Sequence, residues 1–300
     1  PRCLESYQFS TIEDIETNMT EIVAKSTITS IKHENSGGEA HIYPYKKGTV
    51  AKVFKEDAEI NYSLKNAVIV KIIEKRKILE EISNRGFKFK YIIPQKILVD
   101  DELYNVFGYI MEEVLGNPLS DLRDKEVVES YGFTMKDIFE ILITVGQGIE
   151  TLHTEANIYI GDLNGSNILF DSNKNIYFID FDGMGVDDIA PRFFTDGYID
   201  PVSKENQNIT MEDDWYSFAI QAFQYLTLVH PFDGVYYVME NDMEISLEIP
   251  EKMERRLSLL GNHGIEVPTI AQSWNWMNEE LQKVFLEIFE GENRESIVPY

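Results

Sequence analysis

The chain has 300 residues, 43% hydrophobic and 26% charged, and its 52 acidic side chains against 27 basic ones give a formal charge of −25. That balance excludes a surface that tracks nucleic-acid phosphates, which needs clustered Lys and Arg, while the length gives ample chain for a core in one large domain or two lobes. No apolar run approaches the ~20 residues that cross a bilayer and no signal-peptide pattern opens the chain. The single cysteine, Cys3, excludes an internal disulfide framework and fits a reducing compartment such as the cytoplasm.

Pro1 stands where an initiating Met would, so upstream residues are expected to have been removed. Thr11, followed by acidic residues, reads as the cap of a short helix, and residues 26–32 read as the first strand. Residues 35–55 read as a strand, a glycine turn at Gly37 and Gly38, a return strand, and a third strand that carries Lys52 among apolar neighbours. Adjacent glycines let backbone approach a phosphate, and a lone ammonium in an apolar strand needs a partner. From Asp57 to Ile82 the spacing of Val68, Ile72, Ile73, Leu79 and Ile82 predicts a helix whose carboxylates are candidate partners of Lys52. Two strands follow at 91–99 and 106–114, joined by an acidic turn at 100–102.

Thr134, with Asp137 three residues on, opens a long helix with Ile138, Ile141, Leu142, Val145, Ile149 and Leu152 on its buried side. His153 reads as a helix-end or core histidine. In residues 158–183 the turn run 171–175 separates two apolar strands, so they pair and bring Asp162, Asn167 and Asp180 to one end. Such a cluster is costly to desolvate unless a cation joins it, and a few hard oxygen ligands suit Mg²⁺ completed by water and substrate phosphates. The plainer alternative is that Asp, Asn and Gly make turns here. Residues 212–214 start an aromatic-rich helix that ends at His230-Pro231-Phe232, and further helical segments, among them 279–290, fill residues 233–300.

Asp162-x-x-x-x-Asn167, then a strand, then Asp180-Phe181 resembles the catalytic loop and metal-binding motif of the eukaryotic-like protein kinases, in a form similar to the divergent bacterial or phage-type Ser/Thr kinases. The resemblance implies an α+β, two-lobed protein-kinase-like fold. It divides the chain into an extension at 1–29 and a domain at 30–300, with amino lobe 30–111, hinge 112–116 and carboxyl lobe 117–300. It also implies ATP and Mg²⁺ as cofactors. Asp162 would orient and deprotonate the substrate hydroxyl, Asn167 and Asp180 would hold metal, and Gly37, Gly38 and Lys52 would hold phosphates. Glu74 would pair with Lys52, with Glu80 or Glu81 as substitutes; Met111 would be the gatekeeper, and the backbone of Glu112 to Val114 would meet adenine. Asp214 would brace the catalytic loop, and Thr195 to Pro201 would form the rest for a peptide.

The chain departs from the family pattern at several places. Ala40 takes the last glycine position of the phosphate turn; Gly161 replaces an Arg, which disfavours control by loop phosphorylation. Asn164 replaces a Lys, Asp182 a Gly, and Val202 the Glu expected to pair with a late Arg such as Arg294. Asp182 is expected to face outward, with third metal ligand as the alternative. The function implied is phosphorylation of Ser/Thr hydroxyls on proteins, basic ones being favoured by the acidic surface, which equally serves solubility. A pseudokinase scaffold and a small-molecule kinase of the aminoglycoside or choline type are the alternatives.

Overall fold

Residues 40–54 carry β-branched and aromatic side chains, among them Ile42, Tyr43, Val50, Val53 and Phe54, on both sides of the turn at 45–48, and they form the hairpin on which the first sheet is built. The computed structural model describes residues 22–24, 28, 35–36, 39–55, 62–99, 106–191, 194–240 and 243–291. The Thr11 helix, most of the strand read at 26–32, Gly37, Gly38, the turn at 100–102 and Arg294 lie outside the described residues.

Among the described residues the amino-terminal part holds seven strands: β1 (Ile22–Ala24), β2 (Asn35–Ser36), β3 (Ala40–Pro44), β4 (Thr49–Phe54), β5 (Phe89–Tyr91), β6 (Lys96–Val99) and β7 (Val106–Glu112). Six of them form one sheet in the order β1-β6-β7-β4-β3-β2. Its pairs are antiparallel except β1 with β6. The register sets Lys52 of β4 between Ile42 and Tyr109. Helices α1 (Tyr62–Glu74) and α2 (Arg76–Ser83) follow β4, and Ile69 and Ile73 pack on Phe54, Ile97 and Tyr109 of the sheet.

The continuous strand expected at 91–99 is divided. Tyr91 ends β5, which belongs to a different sheet, and Pro94, having no N–H for a ladder, lies in the gap before β6. The helix expected through Ile82 is likewise broken, at Lys75, whose backbone marks the junction of α1 and α2.

The larger, mainly helical lobe starts with β8 (Asn117–Pro118) and α3 (Lys125–Ser130), followed by α4 (Met135–Thr151). Thr134 caps α4: its hydroxyl oxygen accepts from Asp137 N at 3.4 Å, while the Asp137 carboxylate accepts from Thr134 N at 2.8 Å. Strand β9 (Ile158–Tyr159) leads to the hairpin β10 (Ile168–Phe170) and β11 (Ile176–Phe178), paired as Leu169 with Tyr177. These two join β5 and β8 in a four-stranded sheet, and β12 (Gly185–Val186) pairs with β9. Helices α5 (Pro201–Asn206) and α6 (Met211–Thr227) come next. The strand pair β13 (Tyr237–Glu240) and β14 (Met243–Ser246) interrupts a region expected to be helical, before α7 (Ile249–Glu254) and α8 (Glu279–Glu290). One core joins α4, α6, α8 and the β10–β11 hairpin through fully buried Ile141, Ile149, Phe178, Phe223 and Phe289.

Candidate active site

The loop between β9 and β10 is held from beneath by α4 and α6. Asp214, in the first turn of α6 and almost wholly buried, accepts hydrogen bonds from Ile160 N at 2.6 Å and Gly161 N at 2.8 Å. His153, in the turn that follows α4, donates from Nε2 to the same carboxylate at 2.8 Å. Gln221, two turns along α6, donates to Leu163 O at 2.9 Å. Three backbone groups of the loop thus meet fixed side-chain partners, which holds residues 160–163 in place. Gly161 has φ +71°, and a Cβ there would overlap the ring of Pro191. The absence of an Arg at this position therefore has a steric cause.

Asp162 projects into a cleft of about 590 Å³ whose walls also include Lys52, Lys65, Met111, Asn167 and Asp180. Its carboxylate accepts from Thr195 Oγ1 at 2.8 Å and from Asn164 Nδ2 at 3.0 Å. Asn167 donates its amide N–H to Asp162 O at 3.0 Å, which leaves the amide oxygen as its acceptor end. Asp180 has left-handed backbone (φ 70°) at the start of a single 3₁₀ turn, residues 181–183, a conformation that Asp tolerates better than most side chains. Its carboxylate is paired with Lys52. Desolvation lifts the Asp180 carboxyl above the ordinary aspartate range, against the pull of Lys52.

The partner expected for Lys52 is not where the family pattern would put it. Glu74 is half exposed and lies 4.0 Å from Lys71 on its own helix. It is two residues beyond fully buried Ile72, about 200° round a helix at 100° per residue, and so points away from the sheet. Glu80 and Glu81 are exposed on α2. Lys52 meets Asp182 Oδ1 at 2.6 Å instead. Asp182, expected to face outward, is buried with its side chain 1% exposed: the 3₁₀ turn carries it under the sheet, where Lys65 Nζ reaches Oδ2 at 2.6 Å and Tyr109 Oη donates to Oδ1 at 2.6 Å. Burial opposes the charged form of Asp182, but Lys52 and Lys65 outweigh it and hold the carboxyl far below the usual range. The two carboxylates likewise outweigh burial at Lys52 and keep its ammonium charged.

Of the remaining expected residues, Met111 lines the cleft at the end of β7. Glu112 closes that strand with its side chain turned to Lys90, and Val114 follows, half buried, in the connection to β8. Lys65 and Tyr109 were missed by sequence reasoning. A signal existed for Lys65: it is in phase with Val68, Ile69 and Ile72, the buried stripe of α1, where a lysine needs an acidic partner.

Comparison with known proteins agrees with this fold. A family model described as protein kinase domain matches residues 46–290. Among curated proteins of Arabidopsis thaliana, a leucine-rich repeat receptor-like serine/threonine-protein kinase is 30% identical over 144 residues, covering 41% of this chain and 15% of the relative. A calcium/calmodulin-regulated receptor-like kinase is 28% identical over 134 residues, covering 42% and 30%, and a wall-associated receptor kinase-like protein is 35% identical over 95 residues, covering 29% and 15%. The matched stretches thus span under a third of those relatives' length. In solved structures, the kinase of Cydia pomonella granulovirus superposes with a TM-score of 0.58 at 18% identity over 87% of both chains, a likeness of fold.

Proposed function

Because the chain belongs to the protein kinase family, we propose that it transfers the γ-phosphoryl group of ATP to serine and threonine hydroxyls of protein substrates, with Mg²⁺ as cofactor. The observation that carries this reading is the Asp162 carboxylate, fixed on a braced loop and already accepting a hydroxyl hydrogen bond at 2.8 Å from Thr195. A substrate hydroxyl presented to the same carboxylate is oriented for attack on phosphorus and gives its proton to Asp162. The serine/threonine preference is supported by the likeness to the plant receptor-like serine/threonine-protein kinase.

The Asp180 carboxylate and Asn167 amide oxygen give an all-oxygen donor pair in the cleft, which fits Mg²⁺. Among the described residues no group of three or more His, Cys, Asp or Glu could hold an ion, so phosphate oxygens and water would complete the shell. When bound, the metal neutralises charge on the phosphate oxygens. Lys52 contributes a fixed positive charge beside it. Gly37 and Gly38 are assigned to cover the phosphates, Met111 to guard the pocket and the backbone from Glu112 to Val114 to meet adenine, with the lobe boundary at 112–116. No helix among the described residues is long and apolar enough to cross a membrane, and the single cysteine fits action in the cytoplasm.

Intact-mass analysis after incubation with ATP and Mg²⁺ tests the reading, with Asp162→Asn as control. Steps of one phosphate in the parent and none in the control are expected, together with transfer to a basic protein substrate. A parent that binds no nucleotide would move the protein to the scaffold reading; turnover of amino sugars or choline without protein labelling would make it a small-molecule kinase.

A further inference from the structure

Five acidic and basic side chains stand in unbroken contact, four of them lining the cleft and Asp182 buried behind it: Asp180, Lys52, Asp182, Lys65 and Glu39. Lys52 and Lys65 take opposite oxygens of Asp182, each at 2.6 Å, and Lys65 also meets Glu39 Oε2 at 2.8 Å. We propose that Asp182 is the carboxylate that positions Lys52, and that Lys65, reaching in from α1, acts through Asp182 as a second positioning residue. The helix thereby contributes a cation where the family pattern led to the expectation of a glutamate. This inference rests on the phosphoryl-transfer reading of the cleft.

Burial makes the arrangement obligatory. The side chains of Asp182 and Lys65 are 1% and 3% exposed, so either one alone would be an uncompensated charge inside the protein. Asp182 has one oxygen for each lysine and receives the Tyr109 hydroxyl as well, which leaves its carboxylate no freedom to turn. Asp180, in contrast, keeps 39% of its side chain exposed. Whichever way Asp180 is engaged when phosphates enter, Asp182 still fixes Lys52. Lys65 is itself placed by the helix stripe and by Phe54, whose ring centre lies 5.2 Å from its ammonium. Its bond to Glu39, the residue immediately before β3, ties the same helix to the start of that strand.

The full chain is used to measure ATP affinity by calorimetry separately from the rate of phosphoryl transfer. Asp182→Asn keeps an acceptor for Tyr109 but releases Lys52, and kcat should fall roughly 100-fold, the scale of a displaced reacting group. Because Lys52 keeps its charge, ATP Kd should change less than about threefold, under 1 kcal/mol at 1.4 kcal/mol per decade. Lys65→Met should lower kcat about tenfold, Lys65→Arg should recover most of it, and the double variant should be no slower than Asp182→Asn alone, as for residues that act in one unit. Glu74→Gln should match the parent. Losses that multiply in the double variant, a parental kcat in Asp182→Asn, or an equal loss in Glu74→Gln would overturn the assignment. A parent that binds ATP yet transfers nothing would overturn the phosphoryl-transfer reading instead. The pairing would then be judged from urea unfolding of the same variants, where additive effects of Asp182→Asn and Lys65→Met would refute it.

Discussion

His230 is an ionisable group whose every bond requires it to be neutral. Its Nε2 donates to Gly197 O at 2.8 Å, and its Nδ1 accepts from Phe232 N at 3.2 Å. A second ring proton would displace the Phe232 donor, and burial pushes the pKa from 6.5 down to about 4. Between those values the unfolded chain binds the proton and the folded chain does not, so stability rises with pH across the window and is lost on acidification. The loss is absent above the unfolded value and reaches about 3 kcal/mol once the pH is below the folded one. Urea midpoints of the parent at pH 7 and pH 4.5 should therefore differ by more than those of His230→Gln; equal differences would remove His230 as the cause. Residues of this kind show what was legible in the sequence. Asp162, Asn167, Asp180 and Asp214 could be located because short strands and a helix start fix their backbone, and the structure brings the first three to one cleft. The roles of Glu74 and Asp182 could not be read so. Glu74 was placed by family pattern although its helix phase points outward, and a single 3₁₀ turn has no periodicity from which to infer the direction of Asp182.

Among the elements, α4 was the most legible, since cap, buried stripe and end all have local signals. Its close approach to β11 is a packing fact with no such signal. Gly148 lies where a Cβ would overlap the ring of Phe178, and its carbonyl accepts from Tyr91 Oη at 2.8 Å. The ring cannot give way: it is fully buried, with Tyr91 at 5.5 Å and Phe89 at 6.4 Å between ring centres. Gly148→Ala would gain helix propensity but force helix and hairpin apart. The expected outcome is a net destabilisation of about 1–3 kcal/mol by overpacking, measured by urea unfolding. A stabilised variant would show that the hairpin yields. Because β10 and β11 carry Asn167 and Asp180 at their ends, the same variant should lower ATP affinity although it touches neither residue. The elements that escaped prediction were those set by distant contacts. The break at Lys75 has no glycine or proline to announce it, and the β13–β14 pair lacks any long alternating run.

At the scale of the whole molecule, a cleft holding Lys52 and Lys65 is set in a chain of charge −25. Inside, the two lysines are matched by Asp180, Asp182 and Glu39, so the site has no excess of positive charge with which to attract an anion from afar. Long-range attraction is left to the surface, and that surface draws cations. Peptides whose serine or threonine is flanked by Lys and Arg should therefore be phosphorylated with a higher kcat/KM than the same peptides flanked by Asp and Glu. The advantage should shrink on the order of tenfold between 50 and 500 mM NaCl, as the screening length falls from about 14 to about 4 Å. The effect belongs in KM, because steering raises encounter and leaves the chemical step unchanged. Steady-state rates with the two peptide sets at both salt concentrations decide it. A preference for basic peptides that survives high salt, or that resides in kcat, would place selectivity in contacts beside Thr195 and Asp162 and leave the acidic surface to keep the protein in solution.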